Sequence, residues 1–134
     1  MNWKLIFQLS LFALAMGIGS VFFIPAKIEP IFWLIIFIIC AYAIARNRRE
    51  GHFIHGLVLG LVNCVWVTSA HIIFFDRYLA NHAKEAAAMT TSPMAASPRL
   101  IMALFGPVVG IISGAVIGLF AFVAGKLVKP AQST

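Results

Sequence analysis

The chain has 134 residues, room for one domain, and 62% of them are hydrophobic against 10% charged. Soluble domains average about 45–50% apolar and roughly 25% charged residues, so a soluble fold is excluded and an integral membrane protein is expected. The formal net charge is +6, but the basic residues sit at the ends of apolar runs, which is membrane-flank usage and speaks against a nucleic-acid partner.

Four apolar runs approach the roughly 20 residues that a spanning helix needs. They cover residues 3–24, 30–46, 53–75 and 98–127, and predict one all-α domain over residues 1–134, a four-helix membrane bundle. The first run is read as a span rather than a signal peptide, because "FFIPAKIEP" at its end offers no A-x-A cleavage site. Gln8, Ala15 and Gly19 share one of its faces with Phe12, and Ala13 and Gly17 lie to one side.

The second run, "PIFWLIIFIICAYAIA", is bulky nearly throughout, and its flanking arginines can snorkel to the interface. It has no small-residue stripe and is expected to face acyl chains. In the third run, "HGLVLGLVN" puts Gly56, Gly60 and Asn63 on one stripe. Asn63 lies near mid-membrane, where an unpaired amide is costly. His71 lies in the outer half of the same run, and an ionisable residue at membrane depth is a functional hypothesis by default.

Between the third and fourth runs lies the longest loop, residues 76–97. Its first half, "DRYLANHAKEAAAM", predicts one short amphipathic helix with Asp76 as N-cap and Leu79, Ala83 and Ala86 on one stripe. Its second half, "TTSPMAASP", reads as a linker. The fourth run opens at "SPR" with Ser97 as N-cap and Pro98 at the first helical position.

In this last run Gly106, Gly110, Gly114 and Gly118, with Ala103, Ala121 and Gly125, sweep one side of the helix. In lipid, small residues at four-residue spacing let backbones approach closely. The stripe is read as a packing face whose partner is this chain's own bundle, a sister subunit or the lining of a pore. Pro107 removes a donor from the helix ladder, so Gly106-Pro107 is a kink fixed by its neighbours or a candidate hinge.

Lysine and arginine counts set the orientation. With both termini inside, one face collects Lys4, Arg46, Arg48, Arg49, Lys126 and Lys129, and the other Lys27, Arg77, Lys84 and Arg99, the latter offset by Glu29, Asp76 and Glu85. The expected address is the bacterial inner membrane, with the N- and C-termini inside.

Little chemistry is on offer. Cys40 and Cys64 fall inside apolar runs and read as small buried hydrophobes rather than a disulfide. His52 and His55 follow the cationic "RNRRE" and read as headgroup contacts. His71, Asp76 and His82, with Met89 and Met94, form an outer group whose soft ligands would suit Cu(I), but no methionine array accompanies them. No resident metal or cofactor is expected. Nucleophile elbows, phosphate loops and paired carboxylates are absent, so no catalytic residue is assigned and an enzyme is not expected. No run has Asp or Glu at its centre, which argues against coupling to protons through a mid-membrane acid. The candidate polar path is Asn63, His71 and Asp76.

The order "RNRRE", "FIHGLVLGLVN", a long outer loop and a glycine-rich last helix resembles uncharacterised four-helix inner-membrane proteins of bacteria, labelled as domains of unknown function. That resemblance implies the topology and transfers no activity and no site residue. Two functions follow from the residues. The first is a non-catalytic bundle that works by assembly, as a homo-oligomer or as an accessory subunit beside another membrane protein. The second is a small ion or solute channel or transporter that uses the third and fourth runs.

Overall fold

The structure is a computed structural model that describes residues 1–91 and 97–130. Six helices follow one another among the described residues: α1 Trp3–Phe22, α2 Glu29–Asn47, α3 His52–Ile73, α4 Phe75–Asn81, α5 Ala83–Thr91 and α6 Pro98–Leu127. Four of them, α1, α2, α3 and α6, are long and apolar enough to cross a membrane. Exposed leucine, isoleucine and phenylalanine side chains cover their outer faces, as an apolar solvent requires.

Local chemistry explains where the helices begin and end. Asn2 caps α1, its side-chain oxygen accepting from the Leu5 N–H at 3.1 Å. At the other end the Gly19 carbonyl accepts from both Phe23 and Ile24 N–H groups, and Pro25 prevents continuation. α2 opens with Glu29 and Pro30 in its first turn, where a carboxylate meets the positive end of the helix and proline loses no bond. Gly51 sits at φ +70 ahead of α3, a left-handed conformation that lets the short link after α2 reverse direction. Ser97 does precede α6 with Pro98 behind it, but its side chain makes no capping bond.

α3 packs against both α1 and α6, and α2 packs against α6. The contact between α3 and α6 is made through backbone. A Cβ added at Gly56 would collide with the Gly118 backbone, and one at Gly60 with that of Gly114. Gly114 in turn meets the Leu57 carbonyl, and Gly110 meets the Cys64 side chain. The glycine stripe of α6 therefore lies on the Gly56–Gly60 face of α3 within one chain. Such proximity puts many atoms within dispersion range, which is the main attraction open to helices in lipid.

At the end carrying the termini, Ile6 and Leu9 of α1, Cys40 and Ile44 of α2, Leu59 of α3 and Ile117 of α6 form one core. The second half of α2 belongs to that core, because Cys40, Ala41, Ile44 and Ala45 supply small and tightly fitting side chains. This corrects the expectation of a wholly lipid-facing second helix. Ile31, Leu34, Ile35 and Ile38, earlier in α2, remain exposed.

α1 also differs from expectation. Gln8 and Ala15 are exposed, and the buried side is the adjacent one, with Ala13, Gly17 and Ser20. A Cβ at Gly17 would touch the Val67 backbone at 3.2 Å, so it is this face that approaches α3. His55 is not a headgroup contact. It is 2% exposed, with Nδ1 2.8 Å from the Gly51 carbonyl and Nε2 3.1 Å from the Asn2 N–H. One partner accepts and the other donates, so the ring carries its proton on Nδ1 and ties the start of α1 to the start of α3. His52 reaches only its local Arg48 carbonyl, at 3.0 Å.

α6 is one 30-residue helix that continues through Pro107. At 1.5 Å per residue it is about 45 Å long, more than a hydrocarbon core of about 30 Å needs. Its first turns therefore reach beyond the α3 end to meet the segment between α3 and α6.

Candidate functional site

Where α2 begins, it stands away from α3 and α6 and leaves a cleft of about 680 Å³. Phe37 of α2, Val67 of α3 and Phe105 and Val109 of α6 supply apolar walls, and Glu85, Ala88 and Met89 of α5 close in from the end. A few polar residues are among its lining: Glu29, Asn63, Thr68, His71, Tyr78 and Ser113. A mostly apolar concavity with a few convergent polar groups is the general form of a small-molecule site.

Asn63 lies in the α3 wall at 5% exposure, and its side-chain oxygen is buried without a hydrogen-bond partner among the described residues. A buried amide oxygen left unpaired costs about 1–3 kcal/mol. Its neighbour on the same face, Cys64, satisfies itself locally by donating to the Leu61 carbonyl. Asn63 has no such recourse.

Toward the end of the cleft three rings form a stack. Tyr78 sits between His71, at a centroid distance of 4.1 Å, and His82, at 4.2 Å. The Ser20 hydroxyl donates to the Gly17 carbonyl, and its oxygen accepts from His71 Nε2 at 3.0 Å. His82 is 3% exposed. Its Nδ1 lies 3.0 Å from the Tyr78 carbonyl, which the break between α4 and α5 leaves without a backbone donor, and its Nε2 lies 2.9 Å from Glu29 Oε2. The other oxygen of Glu29 accepts from Trp33 Nε1 at 3.1 Å.

These distances have a consequence for protons. A carbonyl at Nδ1 can only accept, so Nδ1 carries a hydrogen. The 2.9 Å contact at Nε2 then requires one more, either on the imidazole or on the carboxyl group. Glu29 and His82 together hold one exchangeable proton between them. Burial first, then the charges of Glu85 and Glu29, push the Tyr78 hydroxyl up to about 12.

No family model, curated protein or solved structure matches this chain. The functional reading therefore rests on the geometry.

That geometry redraws the expected polar path. Asn63 and His71 both line the cleft. Asp76 does not. It lies in the first turn of α4, exposed, and is not the N-cap, a position held by Phe74. The acid at the site is Glu29, which the sequence presents as one more charge in a short loop. The expected single helix over residues 76–89 is two helices broken at His82, and Tyr78 and His82 are buried instead of the expected stripe of Leu79, Ala83 and Ala86. The ring stack explains the shift: two aromatic surfaces gain more from burial than alanines do.

Of the outer group considered for Cu(I), His71 and His82 are 6.5 Å apart between ring centroids, separated by Tyr78. No group of three metal-type side chains occurs among the described residues. Met94 and most of the expected linker fall outside them. Gly106 faces Thr68 at the mouth of the α3–α6 contact, and Pro107 is exposed on the far side of the helix.

Proposed function

We propose that this chain is a small, non-catalytic membrane protein that binds a largely apolar solute in the cleft between α2, α3 and α6 as part of moving it. The observation that carries this reading is the buried, unpartnered oxygen of Asn63 in the cleft wall. A mostly apolar cleft with a polar residue of this kind in its wall has the general form of a small-molecule site. The second expectation, a transporter using the third and fourth spans, is thus preferred over assembly. The glycine stripe that motivated assembly already has a partner in α3.

The address goes with the function. Six basic residues flank the spans at the end carrying the termini and four at the other, which favours a bacterial inner membrane with both termini inside. The cleft then opens toward the outer leaflet. The resemblance to four-helix inner-membrane proteins of unknown function agrees with this placement and adds no activity.

The test is saturable binding of an uncharged probe, 4-phenylbutanol, measured by calorimetry on the purified protein in a mild detergent against a protein-free micelle blank. One site per chain is expected, and it is lost when Ser113→Trp fills the cleft. No saturable site, or an unchanged one in Ser113→Trp, contradicts the reading.

A further inference from the structure

The charge around the cleft runs against the charge of the chain. The protein carries ten lysines and arginines and four carboxylates. Two of those four, Glu29 and Glu85, line the cleft, and among the described residues no lysine or arginine does. The polar atom buried in its wall without a partner, the Asn63 oxygen, is a hydrogen-bond acceptor. Trp33, Phe37, Tyr78 and Phe105 turn aromatic rings to the same space, and aromatic faces attract cations. Carboxylates, an orphan acceptor and aromatic walls call for a ligand that brings positive charge and N–H donors on an apolar body.

We infer that the cleft selects a protonated lipophilic amine, and that its ammonium group takes the place of the proton shared by Glu29 and His82. This rests on the solute-binding reading above. The exchange is balanced: the ammonium arrives with its charge, Glu29 remains as the carboxylate facing it, His82 is left neutral with its Nδ1 hydrogen on the Tyr78 carbonyl, and one proton leaves to solvent. The titratable groups around Glu29 are His82 and Tyr78 at α4, Glu85 on α5 and His71 on α3. α6 lends the cleft none. Trp33 stays bonded to the other carboxylate oxygen and holds Glu29 in place through the exchange.

The experiment compares three probes with one skeleton: 4-phenylbutylamine, 4-phenylbutanol and 4-phenylbutanoate, cationic, neutral and anionic near pH 7. Calorimetry on the folded protein should rank the amine about tenfold tighter than the alcohol and the carboxylate weakest. The amine's heat should vary with the ionisation enthalpy of the buffer, as release of a proton requires, and its affinity should rise with pH while the alcohol's does not. Glu29→Gln should bring the amine to the affinity of the alcohol and abolish the buffer dependence. Glu85→Gln, at an exposed residue whose loss leaves the fold intact, should weaken the amine by a smaller factor and keep the proton release.

Equal binding of all three probes overturns the inference while leaving the cleft a solute site. Amine preference without proton release overturns the exchange with His82. No saturable binding of any probe removes the solute-binding reading and this inference with it.

Discussion

At the end carrying the termini, α1, α2, α3 and α6 meet in a single core of Ile6, Leu9, Ile44, Leu59 and Ile117, whereas at the α4–α5 end α2 stands off and about 680 Å³ stays open. The same helices build both. What differs is the side chains of α2. Its second half offers Cys40, Ala41 and Ala45, which let α6 come close, while its first half offers Trp33 and Phe37, which hold the space apart and line it. Small residues close a helix contact in lipid and large ones prop it open, so one helix can pin a bundle at one end and form the wall of a site at the other. The glycine seam between α3 and α6 is the fixed reference for both ends.

The strongest way to break this contrast is to attack that seam. Gly60→Leu places a side chain where the Gly114 backbone already lies, and should cost about 3 kcal/mol or more, read as a large fall in the thermal midpoint in detergent. Gly106→Ala meets only the Thr68 side chain, which can rotate, so its fall should be much smaller. Equal losses at the two positions would contradict a seam that tightens away from the cleft.

Next in size is His55→Ala, which removes the hydrogen bond from Asn2 that ties the start of α1 to α3 and the local bond to the Gly51 carbonyl. A loss of about 1–2 kcal/mol is expected, with solute binding retained. Asn63→Leu should do the opposite. It removes an unpaired buried oxygen, so unfolding should become harder by about 1 kcal/mol, while binding of the phenylbutyl probes weakens. A destabilised Asn63→Leu would mean that the amide already has a partner.

The last effect is confined to alkaline pH and concerns Tyr78. With the hydroxyl pushed from 10.0 to about 12, the folded protein holds that proton more tightly than the unfolded chain does. Stability should therefore be level below pH 10 and fall as pH rises through about 12. Tyr78→Phe should remove that part of an alkaline unfolding curve.

Most of the architecture is legible in the residues. Spans of about 20 apolar residues set off by charges mark the four long helices, and glycine at 56, 60, 110, 114 and 118 marks faces built for close approach without saying which face meets which. Asn63 and His71 stand out because polar side chains are rare at such depth. Glu29 and His82 do not stand out, since each reads as an ordinary loop charge. Their importance comes from the fold-back of α4 and α5, which brings positions 53 residues apart to 2.9 Å. No periodicity records a contact of that kind. The break at His82 is hidden for a similar reason: "LANHAKE" favours an unbroken helix, and only burial of two rings against His71 makes interruption worthwhile.

The contrast between the two ends carries its own reporters. Cys40 is 0% exposed in the closed core, and Cys64 lies in the wall of the cleft. Treatment of the membrane-embedded protein with a water-soluble methanethiosulfonate reagent, followed by mass spectrometry, should find Cys64 modified and Cys40 untouched until the protein is unfolded. Equal protection of both thiols, or faster modification of Cys40, would contradict an open cleft above a closed core.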